Sequence, residues 1–342
     1  MSTVMTSNGG TPLVSVLTPV YNGGEFLEQC IESVLAQTFS DYEYIIVNNC
    51  STDNTLDIAR RYESKDHRIR VHNNTDFLGV IENHNLAFSL MSPATKYCKV
   101  VSADDFIFPH CLEQMVNFAD AHQSVGMVGC YMLAGKKMMN VGLEYERSVV
   151  SGRDICRETL LGGPHVFGSP TSLLYVSDLM RKSTAFYPNS NPHADTSACY
   201  KWLHDCDFGF VHQVLSYARI HPDSQTSRSI RFGTIIRAQI SDLIQYGSHY
   251  LTPEELNRRT DDLMNWYYSW LVRRIYEHRN DREFWDIQKA GLRDMGFSFS
   301  RARLYKTAAL RAIQEMGSPG AALRKVMGLK KSSQKIEARY YD

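Results

Sequence analysis

No two of the eight cysteines stand as a Cys-x-x-Cys pair, which argues against a zinc site and against a small disulfide scaffold. They are scattered at positions 30, 50, 98, 111, 130, 156, 199 and 206, and reduced thiols in a cytosolic compartment are the expectation. An excess of one charge is also missing. The 37 Lys and Arg balance the 37 Asp and Glu, so no overall field directs the chain to nucleic acid. Long apolar runs are absent too. The stretch Thr159 to Ser177, free of Asp, Glu, Lys and Arg, is broken by Gly162, Gly163, Pro164, Gly168 and Pro170 and cannot serve as a spanning helix. The opening MSTVMTSNGGTP has neither the basic start nor the apolar core of a signal peptide, so a cytoplasmic placement is expected. No G-x-G-x-x-G follows the first strand candidate, which speaks against a dehydrogenase.

With 342 residues, 43% of them hydrophobic, the chain can bury a full core and fill two domains, or one domain with a large extension. From Leu13 onward, short β-rich runs alternate with amphipathic segments. Strand candidates are Val14–Thr18, Tyr44–Val47, Ile69–Val71 and Tyr97–Val101; helix candidates are Glu25–Gln37, Thr52–Tyr62, Val80–Met91 and Leu112–His122. Such alternation reads as βαβ units, hence an α/β fold with a mostly parallel sheet covered by helices on both faces. Between Tyr131 and Ile220 the pattern is mixed, with strands expected at Ser172–Val176 and Phe208–Tyr217 and a helix at Asp195–His204. Beyond Arg231 the chain reads as a helical C-terminal extension, where Thr252, Pro253 and Glu255 supply an N-cap, an N1 proline and a capping-box glutamate. The expected division is a flexible segment 1–12, a nucleotide-binding half 13–130, a second half 131–230 and helices 231–342.

In open α/β sheets, ligands bind beyond the carboxyl ends of the strands, and the polar punctuation falls there: Tyr21-Asn22-Gly23-Gly24, Asn48 to Asp53, and Ser102-Ala103-Asp104-Asp105. Two adjacent carboxylates at the end of the apolar run Val100-Val101 repel each other unless water, a cation or a hydrogen-bonding ligand compensates them. A hard divalent cation shared with substrate phosphates would do so. The plainer alternative is one aspartate capping the next helix while the other is solvated. The Ser51 to Thr55 run likewise suits helix capping as well as a binding pocket.

Val14 to Asn22, Ile45 to Thr55 and Val101 to Asp105 together resemble three landmark segments of the family 2 glycosyltransferases, and Ser33 to Phe39 sits between the first two as in that family. The resemblance covers residues 12 to 222. It implies an A-type glycosyltransferase fold, a nucleoside-diphosphate sugar donor, a Mn²⁺ or Mg²⁺ ion, and inverting transfer to a saccharide or lipid-linked acceptor in polysaccharide or glycolipid synthesis. Position by position, it implies that Pro19 and Tyr21 contact the nucleotide base, and that Asn48, Asn49, Asp53 and Asn85 line the donor pocket. Asp104 would meet the ribose or the metal, and Asp105 would be the direct metal ligand. His193-Ala194-Asp195 resembles the segment that carries the catalytic base, which makes Asp195 the candidate. Tyr217 to Ser224 resembles a segment with an Arg-x-His core, which makes His221 a metal or diphosphate contact. The sequence departs from the family's usual aspartates at Asn48, Asn49 and Ser102. An amide donates as well as accepts hydrogen bonds, so the identity of the base stays open.

Two rival readings follow from the same residues. A catalytically silent sugar-nucleotide binder would suit the missing carboxylates. A sugar-phosphate nucleotidyltransferase would want a basic residue in the loop after the first strand, where Tyr21 to Glu25 has none. In the tail, Arg301, Arg303, Lys306, Arg311, Arg324, Lys325, Lys330, Lys331 and Lys335 interleave with Leu304, Leu310, Ile313, Leu323, Val326 and Met327. That is the pattern of a basic helix lying on an anionic bilayer, or of a solvated basic face on a packing helix.

Overall fold

The computed structural model describes residues 11–188, 193–221, 229 and 231–316. Of the flexible segment expected at 1–12, residues 1–10 lie outside this range, as does the basic tail from Gly317 onward. The chain divides into two units, Met1–Ile220 and His221–Asp342.

The first unit is built on a sheet that has ten strands among the described residues, in the order β3-β2-β1-β4-β9-β6-β10-β5, with β7 on β6 and β8 on β10. β1 (Val14–Val20), β2 (Tyr42–Asn48), β3 (Ile69–Asn73) and β4 (Tyr97–Val100) form a parallel block. Every residue of β1 is buried, as expected of a strand with helices on both faces. The covering helices are α1 (Leu27–Leu35), α2 (Thr55–Glu63), α3 (Val80–Ser89) and α4 (Cys111–Ala121). In α1 the buried residues are Leu27, Cys30, Ile31 and Val34, the spacing of a single helical stripe.

Beyond β4 the sheet is mixed. β5 (Phe106–Ile107) is short, β6 (Val125–Ala134) runs through the 130/131 position, and β7 (Lys137–Met139) and β8 (Val149–Val150) are antiparallel additions. α5 (Gly152–Leu160), a 3₁₀ turn at Pro170–Ser172, β9 (Leu173–Val176), α6 (Ser177–Arg181), α7 (Ala194–Trp202) and β10 (Asp207–Ala218) complete the unit. β9 is antiparallel to both β4 and β6, while β6 and β10 are parallel. The start of β9 therefore lies at the same edge as the ends of β1, β4, β6 and β10. The chain's order reverses between β1 and β4, a switch point where α/β sheets open a crevice.

All eight cysteines are free. The second unit contains α8 (Thr234–Tyr250), α9 (Pro253–His278), α10 (Arg282–Asp294) and α11 (Arg301–Met316). Thr252 and Glu255 form the full reciprocal capping box at the start of α9. Tyr267, Tyr268, Trp270, Phe284 and Leu292 are buried, and Gln288 Oε1 accepts from Tyr267 and from the Arg237 guanidinium at 2.9 Å each. No described helix is long and apolar enough to cross a membrane.

Candidate active site

Two loops at the carboxyl edge are stapled together. Asn22 (φ 49°) and Cys50 (φ 57°) take left-handed backbone conformations, which Asn tolerates better than most residues. The Asn22 amide donates to Ser51 Oγ (2.9 Å), and its Oδ1 accepts from the Thr52 amide (2.8 Å). The Gly23 and Gly24 amides donate to Thr55 Oγ1 and Asp53 Oδ2, each at 2.9 Å. Asp53 Oδ1 accepts from the Thr55 amide at 3.1 Å and from the Thr55 hydroxyl. Burial opposes ionisation of Asp53, but these donors outweigh it and hold its carboxyl below the usual range.

Several of the expected donor-pocket amides are committed to the scaffold. Asn49 donates to the Leu78 carbonyl (2.8 Å) and accepts from the Leu78 amide and from Asn74 Nδ2 (2.9 Å each). Asn85 clamps the Tyr187 peptide in the same way, with both bonds at 2.9 Å. Asn48 is buried and donates to Asn73 Oδ1 at 2.6 Å, while its own Oδ1 has no partner among the described residues. Pro19 is buried in the strand. Tyr21 is 50% exposed and meets the 62% exposed Phe77 edge-on, with ring centroids 4.9 Å apart. Two exposed aromatics at a strand edge offer a stacking platform for a flat heterocycle. Phe77 was not singled out from the sequence; the only signal was an aromatic residue after the polar run Asn73-Asn74-Thr75-Asp76.

Asp105 is 5% exposed. Its Oδ2 accepts from Thr171 Oγ1 at 2.6 Å and its Oδ1 from the Arg219 amide at 3.1 Å. Burial, and next the charge of Asp104, pushes its carboxyl up to about 7 against these donors. Asp104 is partly exposed, and its carbonyl accepts from Arg219 Nε at 3.0 Å. The Arg219 guanidinium also bonds Gln29 Oε1 and lies 4.5 Å from the centre of the Phe26 ring. Thr171 and Arg219 are the residues that sequence reasoning missed. Thr171 comes from the 3₁₀ turn that leads into β9 and Arg219 from just past the end of β10, so only the sheet order brings them to the aspartates. His221 stands two residues past Arg219 and is partly buried.

Asp104 and Asp105 offer hard oxygen donors, and a cation would favour the ionised form of Asp105 against its burial and the Asp104 charge, so the residues fit Mg²⁺ or Mn²⁺. Among the described residues no three His, Cys, Asp or Glu gather into a metal-holding group. A cation here would complete its shell with water and substrate oxygens.

Asp195 is the second residue of α7 and partly buried. A helix N-terminus favours a carboxylate, yet burial outweighs the donated Thr196 amide and lifts Asp195 to about 6. Its charge reaches Tyr187 and Tyr175, whose hydroxyls lie 3.1 Å apart. The preceding His193 is held near 4 by burial and by His165, hence neutral at physiological pH.

Residues 15–170 match the family described as Glycosyl transferase family 2. The match takes in just under half of the chain. The family 2 match ends one residue before Thr171, so Asp195, Arg219 and His221 lie outside it. The putative teichuronic acid biosynthesis glycosyltransferase TuaG of Bacillus subtilis is 38% identical over 107 residues, 31% of this chain and 42% of that one. The chain spans about half the length of the first curated relatives it matches. Among solved structures, S. aureus TarS 1-349 in complex with UDP aligns with a TM-score of 0.61 at 18% identity, covering 90% of this chain and 91% of that one. The mannosyltransferase PcManGT from Pyrobaculum calidifontis, in complex with GDP-Man and Mn²⁺, aligns with a TM-score of 0.55 at 16% identity over 92% and 81% of the two chains. These likenesses establish the A-type glycosyltransferase fold.

Proposed function

We propose that the chain is an inverting glycosyltransferase that moves a sugar from a nucleoside-diphosphate donor to an acceptor hydroxyl in the synthesis of a polysaccharide or another cell-surface glycan. The observation that carries this reading is the Asp104–Asp105 pair at the end of β4, beside the switch point, with Asp105 buried and oriented by Thr171 and Arg219. The base rests against Tyr21 and Phe77 above Pro19, while Asn48, Asn49, Asp53 and Asn85 hold the walls of the pocket. Asp105 and Asp104 would hold the divalent cation, with His221 as a further contact. When bound, the cation supplies Lewis-acid stabilisation to the leaving diphosphate.

Asp195 acts as general base. Its carboxylate takes the acceptor's proton as the acceptor oxygen bonds the anomeric carbon and the bond from that carbon to the diphosphate oxygen breaks. A single displacement inverts the configuration without a covalent sugar intermediate, by analogy with one-step glycoside chemistry. The names of TuaG and TarS's bound UDP support the glycan and nucleotide parts of the reading. The exposed Tyr305, Leu310 and Ile313 on α11, with the basic residues around and beyond them, support a peripheral position on an anionic inner membrane face, reached from the cytoplasm.

Real-time proton NMR with nucleoside-diphosphate sugars and Mn²⁺ tests the chemistry. The first sugar product, including slow transfer to water, is expected with the anomeric configuration opposite to the donor's. Retained configuration would overturn inversion, and binding without turnover would favour the silent-binder reading.

A further inference from the structure

Lys99 is a lysine in the middle of β4, 0% exposed, at a position where the strand otherwise reads as apolar. A buried ammonium is costly unless acceptors surround it. No described carboxylate pairs with it. Its Nζ donates instead to the carbonyls of Thr171 (2.5 Å) and Leu173 (3.0 Å), with Met115 Sδ at 3.9 Å. The carbonyl between those two, that of Ser172, accepts from the Cys130 thiol at 3.4 Å. Three successive carbonyls of the 3₁₀ turn and the start of β9 are thus drawn onto the core side.

The opposite consequence appears on the other side of the same turn. Thr171 Oγ1 donates to Asp105 Oδ2 at 2.6 Å and accepts from the Ser102 amide at 3.1 Å. A hydroxyl has a single proton to donate, and of its two possible acceptors, Asp105 Oδ2 at 2.6 Å and Ser102 Oγ at 3.3 Å, the nearer is the carboxylate, so the direction of the Thr171 side chain orients Asp105 together with the Arg219 amide. That direction follows from the placement of the turn's backbone. The turn's own closures, Ser172 amide and hydroxyl to the Ser169 carbonyl at 2.8 Å each, fix its shape but do not tie it to β4. Lys99 ties it there, beside its register partner Leu174.

We propose that Lys99 is a positioning residue for the cation site: its ammonium pins the carbonyls of Thr171 and Leu173 to β4, and so holds the Thr171 hydroxyl where it orients Asp105. The inference rests on the reading of Asp105 as a cation ligand. Residues that orient ligands in this indirect way commonly contribute 10-fold to 100-fold to metal affinity.

The test is a double-mutant cycle read by electron paramagnetic resonance of free Mn²⁺ in the presence of a saturating nucleoside diphosphate, with thermal unfolding measured alongside. Lys99→Met and Thr171→Val should each weaken Mn²⁺ binding about 10-fold. The double variant should be no weaker than the worse single variant, because both act through one hydroxyl. Thr171→Ser, which keeps the hydroxyl, should restore most of the affinity. Wild-type Mn²⁺ affinity in folded Lys99→Met, or losses that simply multiply in the double variant, would overturn the proposal. Where Lys99→Met does not fold, Lys99→Gln enters the same cycle, since its shorter amide cannot reach both carbonyls. Failure of the wild-type protein to bind Mn²⁺ with any nucleoside diphosphate would instead overturn the underlying site reading.

Discussion

Asp195 shows how position and burial set opposing demands on one carboxyl. It sits in the first turn of α7, where the helix favours its charge, but burial lifts it to about 6. A base must be ionised to accept a proton, so kcat should fall about tenfold per unit as the pH drops below about 6. Asp195→Asn should reduce turnover by about 100-fold to 10,000-fold while leaving nucleoside-diphosphate binding nearly intact; full turnover in that variant would remove Asp195 from the mechanism. The same raised value has a stability consequence. The folded state binds this proton more tightly than the unfolded chain, so its favourable contribution is full below the ordinary 3.8 and lost as the pH rises through about 6. Thermal unfolding of Asp195→Asn should therefore occur at a higher temperature than wild type at pH 7, with the gain shrinking toward pH 4. A lower melting temperature at pH 7 would contradict the burial argument.

Between elements, the β1–α1 and β2–α2 loops are held by four short bonds, one of which joins the Gly24 amide to the Asp53 carboxylate. Its lowered carboxyl means that it stabilises the fold above its unfolded value and loses that contribution as the pH falls through its folded one. Asp53→Ala should lower the melting temperature at pH 7 and converge on wild type near pH 2; an equal deficit at both pH values would contradict the charge-assisted clamp. These loops were legible in the sequence because β1, β2 and β4 are mostly apolar runs followed by clusters of Asn, Asp and Ser. β6 was not legible. Gly126 and Gly129 interrupt its apolar run, and a Cβ on them would fall 2.3 Å from Cys206 Sγ and 2.8 Å from Phe208 Cζ respectively. The glycines admit neighbours rather than turn the chain. The second half of the site was hidden for a similar reason. Thr171 reaches Asp105 only because β9 runs antiparallel beside β4, and strand order between distant segments leaves no local pattern to read. Asn49 and Asn85 were expected to line the donor pocket, and their amides hold backbone peptides.

Over the whole molecule, the residues proposed for the donor and base, His221 excepted, belong to the unit ending at Ile220, and the basic helical sequence belongs to the other. If α11 and the tail beyond it meet an anionic bilayer, the full chain should sediment with phosphatidylserine-containing vesicles, less so at high salt, and a chain ending near Gly317 should lose most of that binding. Unchanged sedimentation after truncation would assign the basic residues to a solvated face. The central claim concerns the first unit: that Asp105 organises a cation-dependent nucleoside-diphosphate site. Isothermal titration of UDP and GDP, with and without Mn²⁺, into wild type and Asp105→Ala tests it most directly. The account requires one diphosphate to bind wild type far more tightly with Mn²⁺, and that enhancement to vanish in Asp105→Ala. Equal binding by the two proteins, or no binding of either diphosphate in any condition, would contradict it.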